Sequence, residues 1–172
     1  MRGNVMDQIS EIANVYHNFL VDANQEDEKA VSAIELLFPE VDSNKIRNEL
    51  FHLRQFALHY ILFKRIHDQT IADEIFQEVQ SKTFKDGWRW DLDSQYNSIL
   101  AIKEYSDYFS TLHSEEEKLK KIGCLFSDRL LEQQVEPVIQ LGKRVSMRNL
   151  AFINSTLDYG MENGMSFVSY FF

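Results

Sequence analysis

The chain has 172 residues, enough for one domain with a sizeable core, and only six glycines and two prolines interrupt it. Its net charge of −9 weighs against a general affinity for nucleic acid, and its single cysteine, Cys124, excludes an internal disulfide. No apolar run reaches the ~18 residues that cross a bilayer, and the start of the chain lacks the apolar core of a signal peptide; the expected setting is the cytoplasm, with no transmembrane segment.

Aromatic residues make up 13% of the chain, so each buried position carries a large apolar area. Charge is blocked along the sequence: residues 1–42 are net −7, 43–85 net +2, 86–117 net −6 and 118–172 net +2. Neighbouring blocks of opposite sign attract, which predicts ion pairs between early and later helices.

The first helix is expected from about Val5 to Asp22, where Ile9, Ile12, Ala13, Tyr16, Phe19 and Leu20 recur at three- and four-residue steps. A second runs from about Glu28 to Phe38 and stops at Pro39, because the residue before proline is pushed out of the helical region. Asp42 or Ser43 then caps the central helix, about 44–68. Ile46, Leu50, Leu53, Phe56, Ala57, Tyr60, Ile61 and Phe63 form one broad apolar face of it, and Phe51, Leu58 and Leu62 a second. A helix that is apolar around most of its circumference is buried on several sides. Between its faces runs a seam of Arg47, Arg54 and Arg65.

Thr70 and Asp73 resemble a capping box for a fourth helix ending near Lys82. The least helical stretch follows, TFKDGWRWDLD, with Gly87 as its turn residue. In the fifth helix Tyr96, Ile99, Leu100, Ile102, Tyr105, Phe109 and Leu112 mark the expected buried side. Ser114 and Glu117 cap a sixth helix, which Pro137 ends or kinks. A seventh, about Pro137 to Tyr159, runs to Gly160 and Gly164, which break the pattern before the apolar tail MSFVSYFF. The sum is an all-α fold: a single-domain bundle of six or seven helices over residues 1–172, with 165–172 an aromatic C-terminal tail.

Chemistry is sparse. Glu49 and His52 form Glu-x-x-His, the spacing with which di-iron bundles aim a carboxylate and an imidazole at one metal, but no other histidine completes a second copy. Glu49, His52 and His59 are therefore the only metal candidates, against the plainer reading that the histidines edge the core. Asp91 and Asp93 precede a helix, where aspartate is expected as a cap. Cys124 has no neighbour that would lower its pKa. The arginine seam, with Lys143, Arg144 and Arg148, suits an anion or an acidic partner, or else pairs with the acidic blocks 1–42 and 86–117. Trp88, Arg89 and Trp90 have the composition of an interface hot spot. The tail residues Phe167, Tyr170, Phe171 and Phe172 need a surface to cover.

With no catalytic constellation and no cofactor motif, the expected function is a non-catalytic helical interaction or regulatory module that binds another protein or itself, and not nucleic acid. The alternative is a carrier of an apolar small molecule or cofactor between helices, and a metal-dependent enzyme stands behind both.

Overall fold

The computed structural model describes residues 4–22, 25–85, 92–110 and 114–163. Seven helices follow one another among them: α1 (Val5–Val21), α2 (Gln25–Leu37), α3 (Ser43–Arg65), α4 (Gln69–Lys85), α5 (Leu92–Ser110), α6 (Glu115–Leu131) and α7 (Glu136–Glu162). The architecture is an all-α bundle, and no described helix is long and apolar enough to cross a membrane.

The caps follow local chemistry. Asn4 accepts a hydrogen bond from the Met6 amide, Asp42 from Asn44 and Ser114 from Glu117, each meeting a donor that the first helical turn leaves open. At α4 the cap is not the Thr70–Asp73 box but Asp68, whose carboxylate accepts from the Thr70 amide at 2.9 Å. Pro137 neither ends nor kinks α6. That helix stops at Leu131, where Glu132 turns left-handed with φ 56°, and Pro137 lies in the first turn of α7, where its missing amide hydrogen costs nothing. The buried Ser127 clips the link: its hydroxyl donates to the Gln133 carbonyl at 2.7 Å and accepts from the Val135 amide at 3.0 Å. Gly160 does not break α7 either, and lies buried inside it.

Helix α3 packs against each of the other six helices. Every residue from Glu49 to Leu58 is buried, as expected for a helix without a solvent face. Its two apolar sides feed two cores. Phe51, Leu58, Ile61 and Leu62 meet α1, α4 and the end of α7, through Ile9, Tyr16, Leu20, Ile75, Val79, Ile153 and Leu157. Ile46, Leu50, Leu53 and Phe56 meet α2, α5, α6 and the start of α7, through Ile34, Tyr105, Phe109, Ile122, Phe126 and Val138. In this second core the rings of Tyr60 and Phe109 meet edge to face at 4.4 Å, and those of Phe56 and Phe109 at 5.4 Å.

Helix α5 departs from the expected burial. Ser98, Ala101, Ile102, Tyr105 and Phe109 face inward, whereas Tyr96, Ile99 and Leu100 are 62%, 64% and 44% exposed. Small residues line the inner face at its start, and the larger apolar ones are left outside.

Helices α6 and α7 cross at two glycines. A Cβ on Gly123 would lie 3.1 Å from the Ile139 carbonyl carbon and closer still to its oxygen, and one on Gly142 would lie 2.8 Å from Phe126 Cδ1. At an exposed helical site glycine to alanine gains about 1 kcal/mol, but forcing a methyl group into a packed contact costs about 1–3 kcal/mol. Because the obstacle at Gly123 is backbone, Gly123→Ala is expected to lower the urea midpoint, whereas a raised midpoint would mean that α6 and α7 cross less closely.

Candidate functional site

The metal-spaced pair Glu49 and His52 lies in a network of ionisable side chains shared by α3, α5 and α6. Glu49 lies in the buried part of α3, 5% exposed, so its charge must be met by neighbouring side chains. Its Oε1 accepts from the Tyr105 hydroxyl of α5 at 2.7 Å and from Arg129 Nε of α6 at 2.5 Å. Its Oε2 faces His52 Nδ1 at 3.3 Å. Arg129 continues outward, donating from Nη1 to Glu104 at 2.6 Å with its guanidinium 5.8 Å over the Tyr105 ring.

Burial alone would raise the Glu49 pKa, but the His52 hydrogen bond and the charges of His52 and Arg129 outweigh it and hold the carboxyl below its ordinary range. Burial, together with the Glu49 charge, pushes the Tyr105 phenol well up, so it stays a donor. Facing an ionised carboxylate, His52 Nδ1 is the protonated nitrogen, and Nε2 has no hydrogen-bond partner among the described residues.

The network borders an open cavity of about 510 Å³ whose wall includes Asn44, Lys45, Asn48, His52, Asn97, Leu100, Glu104 and Arg129. Among the described residues, these walls bring no hydroxyl or thiol nucleophile to the His52 imidazole. What the geometry accomplishes is structural: one carboxylate ties α3 to both α5 and α6.

His59 stands apart from this group. Seven residues of helix separate it from His52 by about 10 Å, and its ring stacks on Phe63 at 4.5 Å and meets Phe76 edge to face at 5.1 Å. Burial lowers its pKa, opposed by the charge of Asp73. Among the described residues no group of three or more His, Cys, Asp or Glu side chains is placed to hold a metal ion. Cys124 is a half-buried free thiol. Trp88, Arg89, Trp90, Asp91, Phe167, Tyr170, Phe171 and Phe172 lie outside the described residues.

The arginine seam divides among several partners. Arg47 makes a two-pronged contact with Glu28, both bonds at 3.2 Å, and the buried Arg54 pairs with the buried Asp27. Arg148 reaches the same Asp27 at 2.7 Å. These are the pairings expected with the acidic block 1–42. Arg65 departs from that pattern: it donates to the Asn154 carbonyl at 3.1 Å and to Asp158 at 2.5 Å, both on α7. The central part of Arg129 was not legible from spacing; an acid on a helix that is apolar around most of its circumference was the available sign that a partner had to come from elsewhere.

The chain matches no protein-family model, no curated protein and no solved structure.

The lowered Glu49 pKa fixes a pH dependence. Its stabilisation is complete above the unfolded carboxylate value and is lost as pH falls through that value towards the lower folded one. Glu49→Ala also removes the inner of Arg129's two carboxylate partners, a loss on the order of 1–3 kcal/mol because the part-buried guanidinium keeps Glu104. Urea midpoints at neutral pH should show that loss, and the gap between wild type and variant should narrow on acidification. A gap independent of pH would mean that the Glu49 charge is not what holds α5 and α6.

Proposed function

We propose that this protein is a non-catalytic helical interaction module that associates with a second copy of itself. The observation that carries this reading is the row Tyr96, Ile99 and Leu100 on the outer side of α5, each 44% or more exposed. Three large apolar side chains, Ile99 and Leu100 adjacent and Tyr96 one turn before them, make the kind of patch that interfaces bury. The row is bordered by both signs of charge, Lys103 beside Glu104 and Arg129, with Lys45 and Asp42 across the cavity. A locally balanced surface can meet its own copy across a two-fold axis without bringing like charges together, even though the chain as a whole is acidic. The four cavities described between the helices have charged side chains in their walls, which favours this reading over carriage of an apolar molecule.

Light scattering at micromolar concentration should give the wild type twice the chain mass of 20.3 kDa. Ile99→Lys should return it to one chain mass with an unchanged helical circular-dichroism spectrum, since Ile99 is mostly outside the core. A monomeric wild type, or a dimer untouched by Ile99→Lys, would overturn the proposal.

A further inference from the structure

The groove between α2 and α7 carries a different surface. It has a volume of about 360 Å³, apolar walls that include Ala30, Ala33 and Val145, and a rim of Lys29, Arg144, Arg148 and Glu26. Three cations therefore face one carboxylate, on a chain whose net charge is −9. The imbalance reaches inward. Asp27, 3% exposed, is shared by two guanidinium groups, Arg54 from α3 and Arg148 from α7. Glu26 lies 3.8 Å from Arg148 but is also engaged by Lys29 at 3.2 Å. Arg144, one turn before Arg148, has no ion-pair partner among the described residues.

We infer that this groove is a binding site for an anionic group, carboxylate or phosphate, carried on an apolar body. Arg144 and Arg148 present guanidinium donors that match such a group in geometry and charge. Ala30, Ala33 and Val145 give the attached apolar portion a surface from which water is removed. A bound anion would also supply countercharge to Arg148, which shares the single buried carboxylate of Asp27 with Arg54. Glu26 is the one group in the groove that opposes binding. The site lies on α2 and α7 rather than on α5, and stands independently of self-association.

Octanoate and octanol make the discriminating pair of probes, with inorganic phosphate as the charge without the apolar body. In titrations followed by amide NMR, octanoate should saturate and should move Ala30, Ala33 and Val145. Phosphate should move the same region more weakly, and octanol should not saturate. A lost charge-assisted contact of about 1.5–3 kcal/mol corresponds to about ten- to a hundredfold weaker binding, which is the loss expected for Arg144→Glu. Arg144→Lys should retain most of the affinity, and Glu26→Gln should bind octanoate more tightly than the wild type. Arg144 is exposed and Glu26 half out of the surface, so neither change threatens the core. Octanol saturating the same amides, phosphate binding tighter than octanoate, or an octanoate affinity indifferent to both Arg144→Glu and Glu26→Gln would each overturn the inference.

Discussion

The structure depends on one constraint: α3 is buried on every side, yet it carries charge. Glu49, Arg54 and Arg65 are 5%, 4% and 1% exposed. An ion taken from water into such surroundings costs several kcal/mol unless a partner meets it, so each of the three fixes where a neighbour must lie. Glu49 requires Arg129 and Tyr105 and so places α6 and α5; Arg54 requires Asp27 and places α2; Arg65 requires Asp158 and places the end of α7. Apolar contacts would tolerate several rotations of these helices about α3. The ion pairs narrow that choice, because a buried charge needs its partner within hydrogen-bond reach.

That division explains which features were legible beforehand. Periodicity locates α1 and α3 to within a few residues because their apolar positions are numerous and regular. It fails on α5, where Tyr96, Ile99 and Leu100 share a helical stripe with each other but not with Tyr105 and Phe109. The inner face at that end is made by Ser98 and Ala101, and small side chains send no hydrophobic signal even when they are fully buried. Pro137 misled for a related reason: a proline breaks a helix interior but suits a first turn, and only the left-handed Glu132 reveals which of the two applies. Glu49 was picked out for its spacing to His52. The pair does meet, but the residues that define its role, Arg129 and Tyr105, are 80 and 56 positions away. No local pattern encodes that separation.

Charge blocks proved more informative than motifs. The excess of acid in residues 1–42 is drawn on by Arg47, Arg54 and Arg148, three cations that lie on α3 and α7. Asp27 is the pivot of this exchange, since it serves two arginines from different helices. A carboxylate shared in that way neutralises neither fully, and the surplus falls where α2 and α7 leave a groove.

The α5 row and the α2–α7 groove differ in kind, and the difference sets how each would respond to solution conditions. The α5 row is apolar with balanced borders, so its contact free energy grows with the area removed from water and is little changed by salt. The α2–α7 groove is set by unpaired guanidinium charge at a partly exposed rim. At a physiological Debye length of about 8 Å the acidic remainder of the chain is largely screened from a ligand there, and the local surplus around Arg144 decides the sign of the interaction. Raising salt would shrink that surplus while leaving the apolar character of the α5 row unchanged. A chain of net charge −9 can thus carry a locally cationic groove and an exposed apolar row together, because neither is governed by its total charge.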